Sequence, residues 1–507
     1  MLKTSNHKLS SSWKTRELLR SKGQFWTPDW VAEPMVEYVL AEKGGLLFDP
    51  AVGAGAFFRA AKVVASEKGL SVRFAGMEID PVTLSQAQEN GLTKDDIALV
   101  EIADFVLQAP CKKFHAIVAN PPYIRHHRIT PEKKVQLKHL SIQTIGKALD
   151  GRAGLHVYFL MRALSLLEEN GRLAFIVPAD VCEGKFASEL WTWITANFTL
   201  DAIITFSPEA SPFPQIDVNP IILLIRRSAP RERFLWAKCC FQATSSFKYW
   251  VRSQFRDTSK RDLIVIERDL KEGLSEGFSR EPTLCKGKSR YVLGDFISVK
   301  RGIATGANDF FFMTAEKVRE LRIPEKYLTQ AIGRTRDVVG DEITYRTLEE
   351  IEKKGRPTLL LSLNEDNLEN FPESVKQYLS KGEELGLPNR PLISQRNPWY
   401  KIETRIPPPF LFAYLGRRNS RFIRNYAYVV PLTSFLCIYP KRNDKKNIDQ
   451  IWKILTHPDV LAGLSMVGKT YGDGAIKVEP RFLEKLPIPD HVVELSGLSM
   501  QMCLFER

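Results

Sequence analysis

The chain has 507 residues, of which 44% are hydrophobic and 26% are charged, the composition of an ordinary globular protein of two or three domains rather than of a disordered or fibrous chain. Its formal net charge of +13 at pH 7 favours a polyanionic partner, more often nucleic acid than a membrane. The seven cysteines contain no C-x-x-C pair, which argues against a disulfide framework and a zinc site, and the polar start without any apolar run of bilayer length predicts a cytoplasmic protein.

Between about residues 24 and 227, segments typical of buried strands alternate with amphipathic helical segments. The predicted strands are 46–49, 74–79, 99–102, 116–119, 172–177, 202–206 and 221–226, and the predicted helices include 29–42, 56–68, 81–90 and 155–169. Asn170-Gly171 is the predicted stop of the last helix. This alternation is typical of an α/β fold with a doubly wound, mostly parallel sheet covered by helices on both faces.

The character of the chain changes after residue 227. Residues 228–290 are mixed and rich in charge, and we assign them to the first domain as a connector with some strands. From residue 291, aromatic clusters, short strands, prolines and basic residues indicate a second, mixed α+β domain. The predicted organisation is an amino-terminal extension (1–23), a first domain (24–290), a second domain (291–490) and a tail (491–507).

The segment LLFDPAVGAGAFFRAA, residues 46–61, is a predicted strand that runs into a glycine-rich turn and then a helix. Gly53 and Gly55 let the backbone approach a ligand closely, and Asp49 stands at the carboxyl end of the strand, where open α/β sheets bind ligands. The third glycine of the dinucleotide fingerprint is missing, which weakens a nicotinamide interpretation. An acid beside the turn would also repel a pyrophosphate, so a ligand with a positive centre suits it better.

Acidic residues also end the next two predicted strands. Glu78 can accept hydrogen bonds from two ribose hydroxyls, Asp104 can bind an adenine amino group, and Phe105 can pack on the adenine face. Taken singly, these residues are equally well explained as an ordinary turn and solvated strand ends. Taken in order with Asp49, they describe an adenosine-containing ligand with a positive centre, and S-adenosylmethionine fits that description.

The stretch HAIVANPPYIRHH, residues 115–127, ends the fourth strand abruptly, because two adjacent prolines cannot continue the ladder of a central strand. The Asn120 side-chain oxygen and the Pro121 carbonyl could accept the two N–H groups of an exocyclic amine and draw it towards tetrahedral geometry. Tyr123 could stack on a base that has left the duplex. Phe213, in a proline-flanked loop before a later strand, could form the opposite wall of the same pocket.

In their order, several segments resemble the amino-group DNA methyltransferases, and specifically the gamma class of N6-adenine enzymes. These segments are Gln24-Phe-Trp-Thr-Pro28, Asp49-Pro-Ala-Val-Gly-Ala-Gly-Ala-Phe57, Glu78-Ile-Asp80, Asp104-Phe105 and Asn120-Pro-Pro-Tyr123. Length and organisation are similar to the PstI/BsuBI modification enzymes, a grouping that would imply the site CTGCAG. The resemblance implies an S-adenosylmethionine-dependent methyltransferase fold that transfers a methyl group to N6 of a flipped adenine in double-stranded DNA.

The resemblance also implies roles for individual residues. The residues implied to bind S-adenosyl-L-methionine are Thr27, Pro28, Asp49, Ala51, Gly53, Gly55, Glu78, Asp104 and Phe105. The residues implied to hold the target adenine are Asn120, Pro121, Pro122 and Tyr123, with Phe213 stacking beside them. The implied setting is a monomer at the bacterial nucleoid in the cytoplasm, with a separate restriction endonuclease as genetic partner.

Three stretches of the second domain are candidates for DNA contact. Residues 291–312 resemble the start of a target-recognition domain, residues 396–425 are the most concentrated basic-aromatic stretch, and residues 468–474 resemble the end of such a domain. An ordinary solvated face is the alternative for the middle stretch, and Phe310 to Phe312 are predicted to be core. The predicted contacts to phosphates and bases are Lys300, Arg301, Thr305, Asn308, Lys401, Arg405, Arg417, Arg418, Lys469 and Tyr471.

The histidines His126 and His127 follow the Asn-Pro-Pro-Tyr segment directly and invite a metal assignment. Adjacent residues rarely share a face and no acid is close in sequence, so a polar loop or a phosphate contact is the better interpretation. Methyl transfer from a sulphonium needs no metal, and no metal site is predicted. Methyl transfer should therefore keep its full rate in EDTA, and loss of turnover in the chelator would refute this.

Three other functions are compatible with parts of the sequence. An enzyme that methylates an RNA base or a protein glutamine amide would carry the same Asn-Pro-Pro-Tyr segment, but such enzymes usually lack a large basic carboxyl-terminal domain. A DNA-binding module with an inactive fold would bind DNA but not S-adenosylmethionine. A fusion with a nuclease is disfavoured, because the first cofactor segment begins by Gln24 and we find no acid-acid-lysine cluster downstream.

Overall fold

The computed structural model describes residues 26–41, 43–184, 186–213, 218–242, 245–257, 262–282, 289–363, 367–413, 421–464, 468–470 and 476–498. The chain separates into two units, Met1–Pro282 and Thr283–Arg507. Among the described residues, no helix combines the length and the apolar character needed to cross a bilayer.

A nine-stranded sheet organises the first unit, in the order β3-β2-β1-β4-β5-β7-β6-β8-β9. Its strands are β1 (Gly45–Asp49), β2 (Val72–Glu78), β3 (Val100–Ile102), β4 (Phe114–Ala119), β5 (Leu167–Pro178), β6 (Thr199–Phe206), β7 (Pro220–Arg226), β8 (Arg233–Cys239) and β9 (Leu263–Asp269). β1 to β5 run parallel to one another, and β6 runs parallel to β8. β7 lies antiparallel between β5 and β6, and β9 is antiparallel to β8.

Helices cover both faces of this sheet, as predicted. They are α1 (Asp29–Leu40), α2 (Ala56–Lys68), α3 (Pro81–Glu89), α4 (Pro131–Ile145), α5 (Leu155–Ser165), α6 (Ala187–Asn197), α7 (Ser245–Arg252) and α8 (Leu270–Glu276). Successive residues of a strand point to opposite faces, and in β4 Ile117 joins one apolar core while Ala116 and Val118 join the other. The sheet is therefore buried on both sides, which explains why its strands are continuous apolar runs.

One predicted helix boundary is wrong. Helix α5 ends at Ser165 rather than at residue 169, and Asn170-Gly171 lies inside β5. Asn170 does adopt a left-handed conformation (φ 60°), but it does so where the pairing of β4 with β5 shifts between Phe114 and Ala116. The Asn170 amide donates to the Arg227 carbonyl over 2.8 Å, so contacts with the neighbouring strand end determine this segment.

The connector is largely part of the first unit. β8 and β9 extend the sheet, and the division between units falls after Pro282 rather than after residue 290. Helix α7, between these strands, is tied to α1 and α2 by ion pairs: Lys248 Nζ lies 2.7 Å from Glu33 and 2.9 Å from Glu67, and Arg252 contacts Glu37 over 2.9 Å. Phe247 and Trp250 of the same helix are fully buried in one of the two cores.

The second unit is a mixed α+β domain, as predicted. A five-stranded sheet runs in the order Ile297–Arg301, Phe435–Pro440, Phe410–Ala413, Arg421–Asn425 and Glu342–Ile343, and a four-stranded sheet in the order Phe312–Met313, Leu359–Leu361, Leu328–Ile332 and Val430–Pro431. The helices include α9 (Asn308–Phe311), α10 (Ala315–Glu320), α11 (Tyr345–Lys353), α12 (Glu373–Glu384), α13 (Lys445–Thr456), α14 (Pro458–Ala462), α15 (Pro480–Glu484) and α16 (Asp490–Ser496). Phe310 and Phe311 are buried, which confirms their prediction as core residues.

Candidate active site

A cavity of about 260 Å³ lies where the neighbouring strands β1 to β4 end. This is many times the roughly 30 Å³ that one water molecule occupies in the liquid. The predicted residues that line it are Thr27, Ala51, Gly53, Glu78, Asp104, Phe105, Asn120 and Pro122. The carboxyl ends of parallel strands meet at one edge of a sheet, so residues far apart in sequence share this cavity.

The glycine turn follows β1 and is hydrogen-bonded to the end of β2. Gly53 and Gly55 have φ values of 54° and 75°, in the left-handed region that favours glycine. A Cβ at Gly55 would lie 2.3 Å from Leu92 Cδ1, so the turn also needs glycine for space. The Gly53 amide donates to Glu78 Oε2 over 2.8 Å. The glycine turn and the Glu78 carboxylate are thus fixed against one another beside the cavity.

Asp49 is completely buried and does not line the cavity, in contrast to its prediction as a direct ligand. Its Oδ1 accepts a hydrogen bond from the Ala51 amide over 2.9 Å. Its Oδ2 is buried and has no hydrogen-bond partner among the residues described. Burial raises the pKa of Asp49 from 3.8 to about 8, the Ala51 amide lowers it, and repulsion from Glu78 raises it further.

The two other strand-end acids are held by several donors. Glu78 Oε1 accepts from the amides of Ile79 and Asp80, each over 2.9 Å, in addition to the Gly53 contact at Oε2. Asp104 Oδ1 accepts from the Val106 amide over 3.0 Å. Asp104 Oδ2 accepts a 2.6 Å hydrogen bond from Lys133 of helix α4, and the two form an ion pair. Both carboxylates are therefore oriented before any ligand arrives.

Asn120 directly follows the last residue of β4 and lines the cavity next to Thr27. Its Nδ2 donates to Thr27 Oγ1 over 3.1 Å, which sets the orientation of the planar amide. After the two prolines, the Ile124 amide donates to the Pro122 carbonyl, and the Ile124 carbonyl accepts from the Leu155 amide at the start of α5. The segment is thus anchored at both ends, by Thr27 and by α5.

Tyr123 and Phe213 contact each other directly. Their ring centroids are 6.3 Å apart at an interplanar angle of 77°, and only 8% and 4% of the two residues are exposed. The Tyr123 hydroxyl donates to the Ile176 carbonyl over 3.2 Å, and burial, with repulsion from Asp180, raises its pKa well above the usual value. The rings meet edge to face, so they do not form the two walls of an open slot that the sequence predicts.

Some predicted residues lie away from the cavity wall, and some unpredicted ones form it. Besides Asp49, the predicted residues absent from the lining are Pro28, Gly55, Pro121, Tyr123 and Phe213; the lining residues not predicted include Trp26, Arg59, Thr83, Gln86, Lys133, Leu155 and Phe159. Pro28 instead caps α1, where its carbonyl accepts from the Val31 and Ala32 amides. The sequence offers a signal for Arg59, which is the sole charged residue among the first six residues of α2.

In the second unit, the residues predicted from the first of the three stretches have different environments. Lys300 and Arg301 are exposed at the end of a strand, and Arg301 forms an ion pair with Glu479 over 2.8 Å. Asn308 is exposed at the start of α9. Thr305 is only 1% exposed, and its hydroxyl donates to Asn308 Oδ1 and accepts from the Ala307 amide. This burial corrects the prediction of a DNA contact at Thr305.

In the basic-aromatic stretch, residues 396–425, fewer basic side chains are available to contact DNA than the composition suggests. Arg405 is 13% exposed and forms an ion pair with Glu403 over 2.8 Å. Arg424 contacts Asp449, and Arg421 donates to the Val338 carbonyl over 2.8 Å. Lys401 is half-buried. Arg417, Arg418 and Tyr471 lie outside the described residues, and Lys469 is described only as backbone, in the strand Gly468–Thr470.

His126 and His127 lie together in a short 3-10 helix, His126–Arg128, with ring centroids 5.4 Å apart. In the described part of the chain, a different group has ligand atoms close enough to hold a metal ion, namely His457, Asp459 and His491 of the second unit. His491 Nε2 lies 3.0 Å from Asp459 Oδ2, and His457 Nδ1 accepts from the Asp459 amide as the cap of α14. Hydrogen bonding accounts for this arrangement without an ion.

The doubly wound sheet, the cavity at the ends of β1 to β4 and the second domain define the fold class of the S-adenosylmethionine-dependent methyltransferases. Residues 14–246 match the family model of N-6 DNA Methylase. Residues 282–503 match the family model of the C-terminal domain of Type II methyltransferase M.Eco57I. The first part of the chain thus matches an N6-adenine DNA methylase model and the second part a C-terminal-domain model of a Type II methyltransferase, in agreement with the motif order.

Two Type II methyltransferases are similar to nearly the whole chain. The Type II methyltransferase M.AccI of Acinetobacter calcoaceticus is 26% identical over 511 residues, which cover 96% of this chain and 90% of that protein. The Type II methyltransferase M.XamI of Xanthomonas campestris pv. amaranthicola is 23% identical over 480 residues, covering 92% and 85%. The Type IIL restriction-modification enzyme MmeI, solved in complex with DNA, shares the fold with a TM-score of 0.54 and 15% identity, over 92% of this chain and 64% of its own.

Proposed function

We propose that the protein is a site-specific DNA methyltransferase of the gamma class, which transfers a methyl group from S-adenosylmethionine to N6 of a flipped adenine in double-stranded DNA. The observation that carries the proposal is the position of Asn120. It lines the same cavity as the strand-end carboxylates Glu78 and Asp104, and it is hydrogen-bonded to Thr27. Homology to Type II methyltransferases supports DNA as the substrate.

The cavity suits S-adenosylmethionine. Glu78 and Asp104, both held rigidly by amides or by Lys133, are acceptors for ribose hydroxyls and for an adenine amine, and Phe105 beside Asp104 offers an apolar face. The buried Asp49 lies under the glycine turn with one oxygen unsatisfied in the described structure, which favours positive charge above it. When bound, the cofactor supplies a methyl group activated by its sulphonium.

The protein's part in the reaction is to make the adenine amine nucleophilic. Its lone pair is delocalised into the ring, and two acceptors directed at the N–H groups draw it out of the plane. Because Asn120 Nδ2 is engaged by Thr27, the Oδ1 atom of the planar amide faces another direction and can take one N–H. The Pro121 carbonyl, whose direction is restricted by the proline ring, takes the other. No metal ligand enters this scheme.

The adenine needs space that the two aromatic residues occupy in the described structure. Tyr123 and Phe213 touch edge to face and are nearly buried. For a base to stack on Tyr123, Phe213 must move away and then close on the exposed face of the base. Stacking of this kind contributes roughly 1–3 kcal/mol per base.

Replacement of Phe213 by Ala should therefore weaken the flipped state of the target base by roughly 1–3 kcal/mol. The measurement is the fluorescence rise of 2-aminopurine placed at the target position, recorded as protein is added. Phe241→Ala is the matched control, because Phe241 is an aromatic residue of the same unit that is 60% exposed. If Phe213→Ala gives the wild-type response, Phe213 does not hold the base.

For the remaining assignments, we propose that the second unit docks on DNA through Lys300, Arg301 and Asn308, together with the residues predicted from the other two stretches, Lys401, Arg405, Arg417, Arg418, Lys469 and Tyr471. We further propose a monomer at the bacterial nucleoid in the cytoplasm, which protects host DNA from a separate restriction endonuclease. Membership of the PstI/BsuBI group, and with it the site CTGCAG, remains a prediction from organisation alone.

Single-molecule sequencing of DNA from a methylation-free host that expresses this chain tests the function. The expected result is N6-methyladenine at one short sequence, found with the wild-type protein and lost with Asn120→Ala. Unmodified DNA together with methyl transfer to tRNA, ribosomal RNA or a protein glutamine would favour the alternative class. DNA binding without binding of S-adenosylmethionine would favour an inactive DNA-binding module.

A further inference from the structure

The cationic side chains of the cavity lie in two distinct environments. Among the lining residues of the described structure, Arg59 and Lys133 carry positive charge. Lys133 is engaged with Asp104 over 2.6 Å at the end of β3. Arg59 projects from the second turn of α2 and donates to the Ala54 carbonyl over 2.6 Å, beside the glycine turn. The two cations therefore serve different parts of the cavity.

Arg59 has no ion pair within the described portion of the chain, although it is half-buried. Asp29, at the start of α1, attracts it only at longer range, and burial lowers the pKa of Arg59 despite that attraction. A guanidinium carries five N–H donors, and the Ala54 carbonyl accepts from one nitrogen. Desolvation without a compensating anion is unfavourable, so this position is suited to an anionic group of a ligand.

The proposed cofactor has a single anionic group, the carboxylate at its amino-acid end. Glu78 and Asp104 line the cavity and would repel it, and Lys133 already neutralises Asp104. Arg59, beside the turn and close to the start of α1, is the remaining cation among the cavity residues that the structure describes. We propose that Arg59 binds the carboxylate of the cofactor's amino-acid end while keeping its hydrogen bond to Ala54, and this rests on the proposed function.

The geometry is consistent with how arginine recognises carboxylates. Its planar guanidinium can present two parallel N–H groups to a carboxylate, a contact that is stronger and more directional than a hydrogen bond between neutral groups. Attached to the helix that follows the glycine turn, Arg59 would align the amino-acid end of the cofactor with respect to Gly53. It is thus a binding residue that selects adenosyl ligands with a carboxylate over those without one.

The test compares two ligands that differ by the carboxylate alone, S-adenosylmethionine and decarboxylated S-adenosylmethionine, by isothermal titration calorimetry on the full chain. Arg59→Met should weaken S-adenosylmethionine by about tenfold to a hundredfold, the range expected for loss of a charged hydrogen bond. It should leave decarboxylated S-adenosylmethionine unchanged within about twofold, so that the two ligands become nearly equal. Arg59→Lys keeps the positive charge but not the planar pair of parallel N–H donors. Its affinity for S-adenosylmethionine should therefore lie between those of the wild type and Arg59→Met.

Lys133→Met is the matched control. Because it acts through Asp104, it should lower the affinity for both ligands by the same factor. The inference is overturned if Arg59→Met weakens both ligands equally, since Arg59 would then only brace the turn through Ala54, or if it weakens neither. Arg59→Lys, measured with the same pair, keeps the test decisive if the Met variant unfolds. Failure of the wild type to bind either ligand would instead refute the proposed cofactor and, with it, the proposed function.

Discussion

Asn120→Ala should lower the rate of methyl transfer to DNA by at least about 10²–10³-fold, the range seen when one hydrogen-bonding group of a transition-state site is removed. The substitution removes the proposed acceptor of one amine N–H and also the partner of Thr27 Oγ1. DNA affinity should change little, because contacts to the phosphate backbone supply most of it. The measurement is transfer of labelled methyl groups to DNA from a methylation-free host, with DNA affinity measured in parallel.

The control for this variant is His139→Ala, an exposed position on helix α4. Its methyl-transfer rate should equal that of the wild type within about twofold, because surface substitutions away from a site rarely exceed about 0.5 kcal/mol. Methylation by Asn120→Ala at a near-normal rate would exclude Asn120 as the amine acceptor. Equal loss of methylation and of DNA binding would indicate a folding defect rather than a chemical one.

Asp49→Asn should change the pH dependence of stability by several kcal/mol. Burial raises the pKa of Asp49 from 3.8 to about 8, so the folded protein retains a proton that the unfolded chain releases. The stability contributed by this group is therefore present below about pH 4 and is lost as the pH rises to about 8, by up to about 1.4 kcal/mol per pH unit. Asparagine keeps an acceptor for the Ala51 amide but does not titrate.

The free energy of unfolding in urea, measured at several pH values from 5 to 8, gives the comparison. The difference between wild type and Asp49→Asn should fall steadily as the pH rises, whereas Asp95→Asn, at an exposed position, should follow the wild type. Parallel curves for wild type and Asp49→Asn would mean that Asp49 is ionised throughout. The proposed cofactor carries positive charge and would favour the ionised form of Asp49. Its binding should therefore release a proton, detected as a binding enthalpy that depends on the buffer.

Local sequence signals predict the bounds of an element correctly where residues next to those bounds determine them. Helix α2 has the predicted bounds because Gly55 and Gly69 flank it in left-handed conformations. Asn170-Gly171 carries an equally good local signal, and Asn170 is left-handed, but β5 pairs with β4 through this segment. The helix therefore ends earlier, for a reason that lies about 50 residues away in sequence.

The candidate site shows the same difference between residues that local patterns predict and residues that depend on long-range contacts. Glu78, Asp104 and Asn120 share one cavity because strand order brings these strand ends together, and Thr27 joins them from the segment just before α1. Lys133 reaches the cavity from a helix that follows the Asn-Pro-Pro-Tyr segment, through an ion pair that sequence spacing does not specify.

The basic residues of the second unit were the least predictable. Arg301 pairs with Glu479, 178 residues further along the chain, and Arg424 with Asp449. Composition counts charges, but only packing decides which of them already have partners. A basic stretch in a sequence therefore overstates the positive surface that is available to a polyanion.

The edge-to-face contact between Tyr123 and Phe213 has a consequence for discrimination between DNA sites. With the two rings packed together and nearly buried, a flipped adenine would exchange one aromatic contact for another instead of entering an empty slot. The net free energy gained from stacking is then the difference between two similar contributions. A base that is held by stacking alone is therefore weakly retained. Contacts along the rest of the recognised sequence would have to supply the remaining binding free energy. An adenine in the wrong sequence context would then return to the duplex unmethylated.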